Sequence, residues 1–274
     1  MPTSEDYLNL AAGCVREAGA IALSMQNHLH AIRYKGAKDL VTEADMRCDQ
    51  LIRERILAAF PDHNLRTEEL GDKAQGSRYT WHVDPIDGTI NYSRQLPLWG
   101  VSVGLAEGDS MVAGAIYLPA SDELFTAIRG QGAFCNGQPI RVSPVSDLSQ
   151  AIISHGDFNV GADEAARKSL NEANFFARMK TVSSVQRVKC LGSAVVEGAY
   201  VAGGRMEGYC MVILNSWDVA VTSLLVAEAG GRVTGLKGEP WDLTRRNALF
   251  SNGLLHGELL ASLTWDADHP YSPE

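Results

Sequence analysis

Asp84-Pro85-Ile86-Asp87-Gly88-Thr89, with Asn91 close behind, narrows the folds open to this chain more than any other stretch. It follows the apolar-rich run Tyr79-Thr80-Trp81-His82-Val83. That run predicts a short strand that delivers Asp84 to its end. The Asp-Pro and Asp-Gly steps predict a turn that brings Asp87 back beside it. Two carboxylates held so close repel unless a positive charge lies between them. Hard divalent cations such as Mg²⁺ take oxygen ligands of this kind and keep several waters for chemistry. Gly88 and Thr89 offer backbone N–H groups at an expected helix start, where an anion is favoured. A metal site and a phosphate site are therefore expected within six consecutive residues.

Asp-Pro and Asp-Gly taken singly are ordinary turn formers. A second motif far downstream gives the hexapeptide more weight. Trp217-Asp218 begins an apolar helical segment that closes in Glu228-Ala229-Gly230-Gly231. Together the two motifs resemble the signature of the inositol monophosphatase family, which comprises Mg²⁺-dependent, lithium-sensitive phosphomonoesterases. The similarity runs from the first helix to about Leu260. It implies a mixed α/β (α+β) chain folded as an α-β-α-β-α layered sandwich of the inositol monophosphatase and fructose-1,6-bisphosphatase type, usually as a homodimer.

The resemblance also implies roles. Glu68, Asp84 and the carbonyl of Ile86 would hold a first metal. Asp84, Asp87 and Asp218 would hold a second, with Asp84 bridging, and a weaker third ion would sit near Glu68. Two to three Mg²⁺ per site are implied, with Mn²⁺ as a substitute. Glu68 and Thr89 would polarise the attacking water, and Asp45 would orient Thr89. The N–H groups of Gly88 and Thr89 would receive the phosphate, with Asp87 and Asp218 beside it. Gly192-Ser193-Ala194 matches the family's Gly-Thr/Ser-Ala beside the substrate ring. The chain departs from the family in two places. Thr67 stands where a Gly precedes the acidic pair, which leaves the choice between Glu68 and Glu69 open. Met211 stands where inositol-selective members carry a Glu that accepts from ring hydroxyls. A thioether accepts poorly, so substrate preference is expected to be relaxed or redirected.

Each of these residues also has a plainer role open to it. Asp45 and Asp218 sit in the first turns of expected helices and could serve the helix dipole. Glu68 could be a solvated loop acid, and Met211 could fill core on a strand. Glu228 reads as structural. His82 reads as a strand residue facing a neighbour, and His155 is not required by the chemistry.

The formal net charge is −9 over 274 residues. This argues against a nucleic-acid partner, which would call for a basic stripe. It leaves room for a small phosphorylated metabolite, since bound cations reverse the local sign. Cys14, Cys48, Cys135, Cys190 and Cys210 show no paired spacing, so reduced thiols and a cytoplasmic protein are expected. Residues 1–6 are acidic without an apolar core, and no run approaches a membrane span.

Along the chain, helices are expected over 5–28 and 42–60, the second capped by Thr42 and stopped before Pro61. Residues 35–38 read as a polar loop and Glu68-Glu69 as a loop. Val101, Val112 and Leu124 begin short strands, and Asn136-Gly137 marks a tight hairpin. These give two helices against an antiparallel meander. Beyond Pro144, a strand near 151–154, helices over 164–179 and from Gly192, and a strand over 208–214 are expected. A helix over 217–229 capped by Ser216 follows, then strands at 232–234 and 248–251 and a last helix near 254–263. Residues 1–145 are read as an α+β half with most metal ligands. Residues 146–274 are read as an α/β half with Asp218 and the substrate side, the two forming one compact catalytic unit.

Other chemistries fit less well. A haloacid-dehalogenase-type phosphatase needs an Asp-x-Asp turn, and Asp84 and Asp87 are one step too far apart. A glycosidase could use two carboxylates but leaves Gly88-Thr89 unexplained. Within the family, histidinol-phosphate, fructose 1,6-bisphosphate or a nucleotide 3′-phosphate are alternative substrates. A non-catalytic binding or regulatory protein should have lost at least one of the acids.

Overall fold

The computed structural model describes residues 2–26, 32–34, 40–156, 183–212 and 214–263. Two large sheets alternate with layers of helix. Helices α1 (Ser4–Gln26) and α2 (Glu43–Ala59) cover one face of a seven-stranded sheet. Its strands lie in the order β3 (Asn64–Thr67), β4 (Tyr79–Asp87), β5 (Gly100–Glu107), β6 (Ser110–Leu118), β7 (Glu123–Ile128), β8 (Ala133–Cys135), β9 (Gln138–Pro139). Strand alternation splits β5 cleanly. Val101, Val103 and Leu105 join the α1/α2 core, whereas Ala106 joins the core on the opposite face.

That opposite face packs on α4 (Ala194–Ala202) and α5 (Ser216–Glu228). Beyond them lies a five-stranded mixed sheet. Its order is β11 (Arg187–Lys189), β10 (Ile152–His155), β12 (Gly208–Met211), β14 (Ala248–Ser251), β13 (Arg232–Thr234). Helix α6 (His256–Leu263) closes its outer face through Leu259 and Leu263, with Leu255 just before it, against Ile153, Cys210 and Leu249. The result is the five-layer α-β-α-β-α arrangement. A small ladder of β1 (Ile32–Tyr34) with β2 (Leu40–Thr42) precedes α2.

Helix α5 lies close on the first sheet because two facing positions of the sheet beneath Val221 carry no side chain. Gly104 and Gly114 are cross-strand partners on β5 and β6. A Cβ on Gly104 would lie 2.6 Å, and one on Gly114 2.8 Å, from methyl carbons of Val221. The far end of α5 closes with Gly230 at φ 88. There Gly231 N–H reaches Val226 O at 2.8 Å and Gly230 N–H reaches Ala227 O at 3.1 Å. This is the helix end that Glu228-Ala229-Gly230-Gly231 predicts. Glu228 itself accepts from Gly130 N–H at 2.7 Å and Gly132 N–H at 2.8 Å. It ties α5 to the first sheet, as its structural reading requires.

Several expectations need correction. Asp84 to Asp87 is not a turn off the end of a strand. β4 runs through it, with a register shift in which Asp84 pairs with Ser102 and Asp87 with Gly100. The extra residue is a bulge, where Pro85, lacking an N–H, is tolerated. The first sheet is also not purely a meander, because β3 pairs parallel to β4. Helix α5 is capped by Asn215, not Ser216, which is already helical and bonds His82 Nδ1 at 3.0 Å. The 208–214 strand ends at Met211. The expected 35–38 loop and 164–179 helix lie outside the described residues.

Candidate active site

β3 and β4 run parallel, and Glu68 N–H donates to Val83 O at 3.3 Å just past the last β3 pair. Glu68 therefore leaves β3 beside Asp84, and the two carboxyl groups hydrogen-bond. Of the acidic pair, Glu68 is the residue that meets Asp84. Its neighbour's N–H is used elsewhere. Asp49 Oδ2 on α2 accepts Glu69 N–H at 3.1 Å and Leu70 N–H at 3.0 Å. Asp49 is fully buried, and burial raises its pKa against those donors and the Thr67 hydroxyl. Sequence reading missed this clamp. The only available signal was its placement one turn after Asp45 on the same helix face.

Asp84 is 1% exposed, and its Oδ1 has no hydrogen-bond partner. Its pKa lies well above the ordinary value. Burial is the main cause, followed by the negative charges of Glu68, Asp87 and Asp218 and by the hydrogen bond to Glu68. Four carboxylates thus act on one another around a buried, unsatisfied oxygen.

Asp87 ends β4. Its Oδ2 accepts the Ser193 hydroxyl and, at 2.8 Å, the Val195 N–H at the first turn of α4. Ser193 caps the same helix by accepting from Val196 N–H at 3.2 Å. Gly88 follows at φ 87 and opens α3 (Thr89–Ser93). A Cβ there would lie 2.9 Å from Leu98 O and 3.1 Å from Ser193 Cβ. Only glycine satisfies both the backbone angle and the space. Asn91 completes the junction by donating from Nδ2 to Leu98 O and Leu191 O, each at 2.7 Å. Asn91 was visible beside the hexapeptide, but its role depends on a partner 100 residues away.

Thr89 Oγ1 lies 3.2 Å from Asp45 Oδ1 and 3.1 Å from Ile86 O. Asp45 meanwhile completes the α2 capping box, with its Oδ2 accepting Thr42 N–H at 2.9 Å and the Thr42 hydroxyl. The helix-cap reading of Asp45 therefore holds, and its other oxygen receives Thr89 Oγ1. Burial pushes its pKa up, and the Thr42 and Thr89 donors oppose this.

Asp218 stands in the first turn of α5, its Oδ2 accepting Asn215 N–H at 2.7 Å. Burial pushes its pKa up to about 7, against the Asn215 N–H, and Asp87 adds to the rise. Asp87, Gly192, Ser193, Ala194, Met211 and Asp218 line one cavity of about 140 Å³, with Glu197 and Tyr209. Of the substrate-side residues expected from sequence, these six share the cavity, whereas Gly88 and Thr89 do not line it. Met211 Sδ receives the Tyr209 hydroxyl at 2.9 Å. Glu197, 1% exposed, accepts the Ser154 hydroxyl and, at 2.8 Å, Leu191 N–H. Both histidines are buried away from this cavity.

The donor set fits a hard divalent cation. It is all oxygen and mutually repelling, and one buried oxygen lacks a donor. Among the described residues no three His, Cys, Asp or Glu side chains already form a ready metal cage. Asp87 and Asp218 each accept an N–H at or just before a helix first turn.

Comparison with known proteins places nearly the whole chain in one family. The model of the family described as "Inositol monophosphatase family" matches residues 4–269. The chain is 38% identical over 255 residues to an inositol monophosphatase of Dictyostelium discoideum, covering 91% of this chain and 92% of that protein. It is 34% identical over 256 residues to a fructose-1,6-bisphosphatase/inositol-1-monophosphatase of Thermotoga maritima, covering 93% and 94%. The solved inositol monophosphatase of Anabaena (Nostoc) sp. superposes with a TM-score of 0.83 at 32% identity, over 94% of this chain and 95% of that one.

Proposed function

The chain belongs to the inositol monophosphatase family of phosphoric monoester hydrolases, and we propose that it hydrolyses a small sugar or polyol phosphate using Mg²⁺ held by Glu68, Asp84, the Ile86 carbonyl, Asp87 and Asp218. The observation that carries this reading is Asp84 Oδ1, buried without a partner while three further carboxylates bear on the same residue. Bound divalent cations would supply Lewis-acid activation of water and neutralise phosphoryl charge.

The remaining work falls to the chain itself. With its hydroxyl hydrogen directed to Asp45 or Ile86 O, Thr89 keeps lone pairs to accept a hydrogen bond from the attacking water. Glu68 flanks the same water as the second acceptor. Gly88 and Thr89 N–H receive the phosphate, and the Gly192–Ala194 turn holds the alcohol portion. Met211, engaged by Tyr209, offers no carboxylate to a ring hydroxyl. This favours a broad polyol or sugar phosphate specificity over one tuned to inositol. Relatives named for both fructose 1,6-bisphosphate and inositol 1-phosphate support the same breadth. A cytoplasmic homodimer belongs to this reading. Among the described residues no helix is long and apolar enough to cross a membrane.

The test is phosphate release from a panel of monoesters with Mg²⁺, with a chelator, and with Li⁺ added to Mg²⁺. Turnover is expected to need the divalent ion, to fall with Li⁺, and to extend to glycerol 2-phosphate. Release that is indifferent to the chelator overturns the metal assignment. Strict selectivity for inositol 1-phosphate overturns the reading of Met211.

A further inference from the structure

A second cavity, of about 460 Å³, opens beside the first turn of α5 and shares no lining residue with the one that holds Asp87 and Asp218. Its place follows from register. Arg66 on β3 and His82 on β4 are Cα partners, so their side chains leave the sheet on one face. Asp84 lies on that face two residues further along β4. His82 Nδ1 and the Ser216 hydroxyl are hydrogen-bonded at 3.0 Å, and both residues line the cavity. Trp217, Arg245 and Arg246 line it as well.

The charge here departs from the rest of the molecule. The chain carries a formal −9, yet this cavity is lined by Arg66, Arg245 and Arg246 against one carboxylate, Asp109. Arg66 spends only its Nε on Asp72, at 3.3 Å. Arg245 spends Nη1 on Glu239 and Nε on Pro240 O. Arg246 has no ion pair among the described residues. The indole N–H of Trp217 is buried without a hydrogen-bond partner. Spare guanidinium donors reach one cavity from two separate parts of the fold.

We propose that this cavity is a binding site for a phosphoryl dianion, separate from the catalytic centre, with Arg66, Arg245 and Arg246 as its cationic wall. Guanidinium forks match phosphate oxygens in pairs. A tetrahedral dianion meets donors on several sides, whereas a planar carboxylate meets them along one edge. The volume holds more than a free phosphate ion, so a small phosphorylated metabolite fits as well. An occupant would rest against Ser216 and Trp217, the two residues before Asp218, and so on the turn that carries that carboxylate.

The test uses the full chain with a chelator present, so that the outcome is independent of the metal site. Inorganic phosphate, glycerol 2-phosphate and malonate are titrated by calorimetry against wild type, Arg66→Gln and Arg246→Gln. Saturable phosphate binding is expected, weakened about tenfold by either substitution, the loss of a charge-assisted hydrogen bond. The melting temperature without ligand should hold in at least one variant. Tighter binding of glycerol 2-phosphate than of phosphate marks a metabolite site, and equal binding marks a phosphate site. Absence of saturable binding, tighter binding of malonate, or binding indifferent to both substitutions overturns the proposal.

Discussion

Asp87 accepts the backbone N–H of Val195 at 2.8 Å, so a carboxylate at the end of a strand in the first sheet sits at the start of a helix that follows it by 108 positions. The bond joins the hexapeptide to the wall of the substrate cavity. It also separates two roles of Asp87. An amide oxygen can accept the same N–H, but it cannot supply the negative charge.

Asp87→Asn is therefore expected to fold like wild type and to lose activity by about 10²-fold or more, with Mg²⁺ binding weakened about 10- to 100-fold. Asp87→Ala should lose a further ~1 kcal/mol of stability, because the α4 first turn loses its acceptor. Melting curves and Mg²⁺ titrations of both variants test this. Asparagine retaining wild-type turnover would remove Asp87 from the ligand set.

Thr89 is expected to act through its hydroxyl and not its shape. Thr89→Val keeps the volume and removes the donor to Asp45 and Ile86 O, so kcat should fall about 10²- to 10⁴-fold with little change in KM. Thr89→Ser should recover most of the loss. Steady-state kinetics with both variants decide whether the hydroxyl matters.

Asp49 should govern metal affinity without touching metal. Its carboxylate holds the N–H groups of Glu69 and Leu70, the two residues after Glu68. Asp49→Ala leaves these donors unmatched, at a cost of about 1–3 kcal/mol, and lets the turn move. Apparent Mg²⁺ affinity should drop about tenfold, while kcat at saturating Mg²⁺ recovers. A kcat loss that extra Mg²⁺ does not rescue would show that Asp49 acts otherwise.

Asp218 predicts a sign for the pH dependence. Its folded pKa is about 7, whereas an unfolded chain's Asp titrates near its ordinary 3.8. Between these pH values the folded protein binds a proton that the unfolded chain has released, so this residue's contribution to metal-free stability falls as pH rises. Asp218 keeps some exposure to its cavity, so water screens part of the effect. The buried His82 works in the opposite direction, its pKa lowered to about 4, so the comparison must be made against a variant. The melting temperature of metal-free Asp218→Asn minus that of wild type should grow from pH 4 to pH 7. Saturating Mg²⁺ should reverse the difference near pH 7. A difference flat across this range would contradict the shift.

Much of the site could be read along the chain because its parts are local. Asp84, Asp87, Gly88 and Thr89 share one stretch, and the helix that bears Asp218 announces its end in Gly230-Gly231. Asp45 was legible as an α2 first-turn acid. That it meets Thr89 was expected from resemblance and not from spacing. The misreadings have equally particular causes. Asp-Pro and Asp-Gly favour turns in isolation, but pairing with β5 keeps 84–87 in the sheet as a bulge. Ser216 looked like a cap because Ser often is one. Its hydroxyl was instead engaged by His82, 134 positions earlier.

Residue order alone was enough to specify the strand into Asp84, the helix at Asp218 and the acidic oxygen chemistry, since each depends on neighbours within a few residues. It was silent on the clamp from Asp49, on the span from Asn91 to Leu191 and on the arginine-lined cavity. Those arise where sheets and helices meet across tens to hundreds of positions. Their partners are chosen by layer packing, in which Gly104 and Gly114 let α5 settle on the sheet, and no local propensity encodes that choice.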